Sequence, residues 1–269
     1  MKNVMLYFGS FNPIHRGHIA IAEYAVEHNL CDEVILIVSP QNPHKAAPEL
    51  AAELQRFEMA EIACAESRFP EQIKASAIEF ILDRPSYTVN TLRYLSENFG
   101  REMRFSILMG GDLIRTLDTW REPEYILENF PIFVYPRKGE TIDKLTDRVT
   151  ILEDAPQHNY SSTSVRRTLQ TGGDAQSMLC AGVLKYIKQN NLWSAAAYRQ
   201  QLDEKIEADP DNAKYYIERG EWHYRHNEWG AALNDFKRAA VIDPQCEAKN
   251  YIDLIQEILE FRYKDIYNP

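Results

Sequence analysis

Through the first two thirds of the chain, short apolar runs alternate with longer stretches of helical periodicity. Val4 to Phe8 is the first run, and it ends at Gly9 as a parallel strand buried on both faces would. A helical pattern begins near Gly17 and carries Ile19, Ala22, Tyr24 and Val26. Glu33 to Val38 reads as a second strand, closed by the loop Ser39-Pro40-Gln41-Asn42-Pro43, and a helix follows from about Ala51 to Ala65. Ile78 to Leu82 reads as a strand and Thr88 to Asn98 as a helix. Arg104 to Met109 is a strand that stops at Gly110-Gly111, and Ile132 to Tyr135 is another, ended by Pro136. This alternation predicts an α/β domain: a parallel sheet covered by helices on both faces. Ligands of such sheets sit beyond the C-terminal strand ends, which is where Gly9 and Gly110-Gly111 fall.

The pattern changes after Trp193, where Ser194-Ala195-Ala196-Ala197 reads as a junction to an all-helical tail. Asp209-Pro210 recurs 34 residues later as Asp243-Pro244. Tyr216, Gly220, Ala232, Phe236, Ala239 and Pro244 stand at the spacing of a tetratricopeptide repeat, which this segment resembles. Gly220 and Ala232 would let two helices approach closely, with Phe236 filling the gap. A partial repeat precedes it (Tyr198 to Pro210) and a helix from Glu247 to Tyr263 follows. The expected domains are thus residues 1–193 and a small helical module at 197–269. One full repeat is too little for independent stability, so the tail is expected to lean on the first domain, on a second copy of the chain or on a protein partner.

Composition narrows the function. The 269 residues are 45% hydrophobic and 26% charged, as in a folded globular protein. A formal charge of −10 argues against a general grip on nucleic acid. Anionic ligands would have to be held by a few placed cations and by backbone N–H groups. Cys31, Cys64, Cys180 and Cys246 are scattered without a C-x-x-C pair, which suits free thiols in a reducing compartment. With no apolar stretch of the roughly 18 residues a bilayer span needs, and Met1 to Tyr7 running straight into the glycine segment, the expectation is a cytoplasmic location and no membrane partner.

Two segments carry chemistry. In Gly9-Ser10-Phe11-Asn12-Pro13-Ile14-His15-Arg16-Gly17-His18, the two histidines are three apart at a helix start, so both rings can leave the same face. A helix N-terminus favours phosphate, and imidazoles placed there can donate to a phosphoryl group gaining charge. The plainer reading is a capping pair of histidines. A protein-held metal is less well supported, since no third ligand stands nearby and there is no H-E-x-x-H. The second segment, Ser161-Ser162-Thr163-Ser164-Val165-Arg166-Arg167, sets hydroxyls before a helix with Arg166 one turn in, a second anion site or an ordinary capped helix.

Together these segments resemble the H-x-G-H nucleotidyltransferase superfamily and its S-S-T-x-x-R signature. Within it the chain is similar to the bacterial nicotinate-mononucleotide adenylyltransferases over residues 1 to about 193. Pro43-His44-Lys45, Arg56-Phe57-Glu58-Met59, Ser86 to Leu92, Gly110-Gly111-Asp112, Trp120, Val134 to Gly139 and Val183 to Trp193 support the closer match. The resemblance implies a Rossmann-like nucleotidyltransferase fold and adenylyl transfer from ATP to nicotinate mononucleotide, with Mg²⁺ accompanying the triphosphate. It implies that His15, His18 and Arg166 stabilise the transition state, and that Gly9, Ser10, Phe11, Gly110, Asp112, Ser162 and Thr163 bind ATP. Lys45, Tyr87, Thr88, Trp120 and Arg137 would hold the mononucleotide.

Three positions depart from the bacterial pattern. Phe8 stands in place of the first glycine of G-G-x-F, Asn12 in place of an aspartate, and Asn90 in place of the aspartate of S-Y-T-x-D-T-L. Gly-Ser-Phe-Asn-Pro also resembles the eukaryotic nicotinamide-mononucleotide enzymes, which leaves the choice between acid and amide acceptor open. Competing readings are another phosphorylated acceptor, such as phosphopantetheine or glycerol phosphate, and an interaction protein acting through its repeat tail.

Overall fold

The computed structural model describes residues 1–40, 50–136, 142, 145 and 147–266, with side chains described up to residue 257. Its strands are β1 (Lys2–Gly9), β2 (Glu33–Val38), β3 (Ile73–Ser76), β4 (Met103–Gly110), β5 (Ile132–Tyr135) and β6 (Thr150–Ile151). They form one sheet in the order β3-β2-β1-β4-β5-β6, parallel at every pairing. Helices of this part are α1 (Arg16–Glu27), α2 (Glu53–Ala65), α3 (Ile78–Ile81), α4 (Thr88–Phe99), α5 (Gly111–Ile114), α6 (Pro123–Asn129), α7 (Ser162–Gln170) and α8 (Ala181–Gln189). This is the Rossmann-like arrangement expected. The central strands β1 and β2 are apolar and buried on both faces because helices cover both sides of the sheet.

Connections from β1 run outward through β2 to β3, and those from β4 run the opposite way to β6. The order therefore reverses between β1 and β4, which opens a crevice at their C-terminal ends. Gly9 and Gly110 end those two strands. The main core lies beneath them, built from Val4, Leu6, Ile37, Val89, Leu92, Ile107, Met109, Ile132, Val134 and their neighbours.

One expected element is corrected. Ile78 to Leu82 is not a strand: Ile78–Ile81 is the short helix α3, and the strand beside β2 is Ile73–Ser76. Its apolar residues do not form one buried face, since α3 turns Glu79 inward and leaves Ile81 74% exposed. The true edge strand includes Lys74 and Ser76, so it showed no apolar run to read.

The chain divides into two compact units, Met1–Arg167 with Asp174–Leu192, and Thr168–Gly173 with Trp193–Pro269. The second contains α9 (Ala195–Ala208), α10 (Ala213–Arg225), α11 (Trp229–Ile242) and α12 (Ala248–Ile266). A Cβ on Gly220 would stand 2.7 Å from the ring of the fully buried Phe236, so α10 and α11 pack as closely as a missing side chain permits. Phe236 stacks in turn on Tyr251 of α12 at 4.6 Å. Between the helices, Arg219 bonds Asp235 at 2.7 Å and Asp203 at 2.8 Å.

Candidate active site

The segment after β1 turns back over the strand it leaves. Phe11 takes a left-handed backbone (φ 43°), unusual for a bulky residue, and is almost wholly buried. Its ring lies on Gly9, where a Cβ would come within 2.9 Å. Arg16 then opens α1. His15 caps that helix, and its backbone N–H donates to Nδ1 of His18 at 3.2 Å. An Nδ1 that accepts carries no hydrogen, so the proton of a neutral His18 ring sits on Nε2. The two imidazoles stack at 3.7 Å, as the three-residue spacing predicts. Phe11 meets the His18 ring edge-on at 5.1 Å and Tyr160 meets that of His15 at 5.5 Å. Gly17 makes room for the His15 ring itself, which would lie 3.0 Å from an added Cβ. The Arg16 backbone N–H and its Nε are both taken, by Met178 O and Leu179 O.

The second helix start is fastened to the first segment. Ser161 and Ser164 cap α7 reciprocally, each hydroxyl accepting the other's backbone N–H at 3.2 and 2.8 Å. The Ser162 hydroxyl donates to Pro13 O at 2.9 Å, and Arg166 Nη1 donates to Asn12 O at 2.9 Å. Residues 149 and 154 positions apart in sequence are thereby joined. Thr163 is exposed on the first turn, and Arg166 Nη2 lies 3.5 Å from its hydroxyl.

Across the crevice, Gly110 leaves the space that Asp112 and Tyr135 occupy: a Cβ would stand 2.6 Å from Asp112 Oδ1 and 3.2 Å from the Tyr135 hydroxyl. That hydroxyl bonds the one on Tyr7 at 2.7 Å, and the Tyr7 ring lies 6.0 Å from His18. A further group forms at the α4 start, where Tyr87 caps the helix, Thr88 opens it, and Tyr87 and Trp120 pack half-buried against the same core. The Arg121 guanidinium sits 5.1 Å over the Tyr87 ring. Lys45 and Arg137 lie outside the described residues.

Sequence reading gave no role to Arg56, although it lies on the buried face of α2 with Met59, Ala60 and Ala63. It is 0% exposed, and its guanidinium donates to Ala51 O, Ser10 O, Ser39 O and Pro40 O at 3.0, 2.7, 2.6 and 2.6 Å. An arginine inside an otherwise apolar helical stripe was the available signal. Tyr7, hidden in the apolar run of β1, was passed over in the same way. Among the described residues no group of three His, Cys, Asp or Glu side chains could hold a metal ion, and no helix is long and apolar enough to cross a membrane.

Residues 6–168 match the model of the cytidylyltransferase-like family. A "Probable nicotinate-nucleotide adenylyltransferase" of Flavobacterium johnsoniae is 39% identical over 191 residues, which cover 70% of this chain and 97% of the relative. A protein of that name from Bacteroides fragilis is 38% identical over 68% of this chain and 90% of its own length. Among solved structures, the Plasmodium falciparum nicotinic acid mononucleotide adenylyltransferase complexed with NaAD superposes with a TM-score of 0.60. It is 20% identical, over 72% of this chain and 98% of that one, so it speaks for the fold. The chain belongs to the cytidylyltransferase-like family and, within it, to the nicotinate-nucleotide adenylyltransferases.

Proposed function

We propose that this chain transfers the adenylyl group of ATP to nicotinate mononucleotide, giving nicotinate adenine dinucleotide and pyrophosphate. The observation that carries this reading is the union of two helix starts, with His15 and His18 on one and Ser162 and Arg166 of the other bonded to the Asn12–Pro13 backbone. An oxygen of the mononucleotide phosphate attacks the α-phosphorus of ATP. A new P–O bond forms, the bond to the β-phosphate bridge breaks, and pyrophosphate leaves with that electron pair. No protein nucleophile is required, because the attacking oxygen is already ionised. Catalysis is then positioning plus charge stabilisation. Nε2–H of His18 donates to the oxygens that gain charge, with His15 stacked behind it. Thr163 and the N-terminal turn of α7 meet the triphosphate beside Arg166. Gly9, Ser10 and Phe11 bring backbone to the nucleotide, and Gly110 with Asp112 takes the ribose side. Trp120 stacks on the pyridine ring, Tyr87 and Thr88 present backbone near its carboxylate, and the family resemblance gives Lys45 to the acceptor phosphate and Arg137 to the mononucleotide.

Nucleotidyltransferases that use ATP generally need a divalent metal. The donors gathered here are imidazoles, hydroxyls and a guanidinium, which suit phosphate rather than a cation. An ion such as Mg²⁺ fits this site as a passenger on the triphosphate, coordinated by phosphate oxygens and water. When bound it supplies charge neutralisation to the departing pyrophosphate.

We further read residues 1–193 as the catalytic domain and 197–269 as a tetratricopeptide-repeat-like module for self-association or a protein partner. The close α10–α11 packing at Gly220 and Phe236 supports that reading. The reaction is tested by pyrophosphate release from ATP with nicotinate mononucleotide, nicotinamide mononucleotide, phosphopantetheine and glycerol phosphate side by side. The highest kcat/KM is expected with nicotinate mononucleotide. Preference for any other acceptor overturns the substrate assignment.

A further inference from the structure

Arg56 is a cation without exposure, and none of its four described bonds goes to a carboxylate. Burial lowers its pKa to about 10, which still leaves it charged at neutral pH. A buried charge satisfied only by carbonyl dipoles is costly to keep, so what those carbonyls belong to is informative. Ser10 O lies in the Gly9-to-His18 segment. Ser39 O and Pro40 O follow the C-terminal end of β2, and Ala51 O belongs to the approach to α2. One planar fork therefore grips three separate backbone segments at the crevice end of the sheet. Ala51 is held from its other side too, since its N–H donates to Asn12 Oδ1 at 3.0 Å.

A second buried side chain braces α3 against α4. Glu79 is 2% exposed and accepts from the Thr91 hydroxyl of α4 at 2.9 Å. Burial raises its pKa, while the hydroxyls of Thr91 and Ser39 act in the opposite direction.

We propose that Arg56 is a positioning residue that locks the Ser10 backbone of the ATP cradle to the Ser39–Pro40 and Ala51 segments. In this way the cradle keeps a fixed position against the C-terminal end of β2 and the approach to α2, and ATP stays placed for its acceptor. The inference rests on the two-nucleotide reading above for its catalytic consequence. Lysine cannot reproduce it, because an ammonium is a point donor and cannot span four carbonyls set around a planar fork. Displacing one substrate by about 1 Å relative to the other costs on the order of 100-fold in rate.

The test compares the full-length wild type with Arg56→Lys by thermal unfolding, steady-state kinetics and amide hydrogen exchange. Should the lysine variant not fold, Arg56→Gln, which buries no charge, carries the same measurements. The folded variant is expected to lose about 100-fold in kcat. Both KM values should stay within about threefold, because Arg56 touches neither substrate. Amides around Ser10, Ser39 and Ala51 should exchange about tenfold faster while β1 and β4 keep their protection. A variant that loses only melting temperature, with wild-type kcat per folded molecule and unchanged exchange at those segments, overturns the proposal. If the wild type itself fails to use nicotinate mononucleotide, the substrate reading falls, and the exchange comparison still decides whether Arg56 locks the segments.

Discussion

The donation proposed for His18 uses its Nε2, because its Nδ1 already accepts a hydrogen bond. The His15 N–H donates to it at 3.2 Å, which leaves the proton of a neutral ring on Nε2. His18→Ala should therefore lower kcat by about 100-fold or more, the scale of one lost donor to developing charge. The fold should survive, since the His18 side chain is only partly buried. Circular dichroism and steady-state turnover, measured together, check both halves; near-normal turnover in a folded variant would remove His18 from the mechanism. Where these residues fall was legible in the sequence: His15 and His18 flank a helix start and stack, and Ser162 and Arg166 open a second one. Two details were not. Ser162 and Arg166 spend donors on the Asn12 and Pro13 carbonyls, and Arg56 spends all of its described donors on carbonyls. Backbone acceptors leave no trace in side-chain identity, so such bonds can be seen only once the chain has folded.

At the scale of elements, apolar runs located β1, β2, β4 and β5 well because those strands are buried by helices on both faces. The same rule misplaced the edge strand. β3 exists through its backbone pairing with β2, while the apolar residues just after it turn into α3. Pairing with a neighbour, not hydrophobicity, decides a short edge strand. In the helical tail, a small residue opposite a large one was the readable feature, and Gly220 against Phe236 bears out that close approach. Gly220→Ala would gain roughly 1 kcal/mol in helix propensity. It would also drive a methyl to 2.7 Å from a fully buried ring. Overpacking of this sort costs typically 1–3 kcal/mol, so the net expectation is a less stable second unit with unaltered adenylyl transfer. Differential scanning calorimetry alongside an activity assay tests it, and a raised melting temperature would show that Phe236 can step aside.

For the whole molecule, the informative comparison is one of length. The Flavobacterium johnsoniae relative is spanned over 97% of its length by 70% of this chain, so the remainder of the chain has no counterpart there. The second unit has a small core of its own, with Tyr216, Ala232, Phe236, Ala239, Ala248 and Ile255 buried together. Every described residue proposed to touch substrate lies outside it, in the part of the chain that forms the parallel sheet and its helices. Deleting residues 197–269 is therefore expected to leave kcat and both KM values within about threefold of the full chain, less than 1 kcal/mol on the barrier. Steady-state kinetics on the two forms, with sedimentation to compare their oligomeric state, separates the alternatives. Unchanged kinetics with a changed association state makes the tail an assembly device attached to a self-sufficient enzyme. A loss of tenfold or more in kcat would mean that this chain depends on helices that have no counterpart in the Flavobacterium johnsoniae relative.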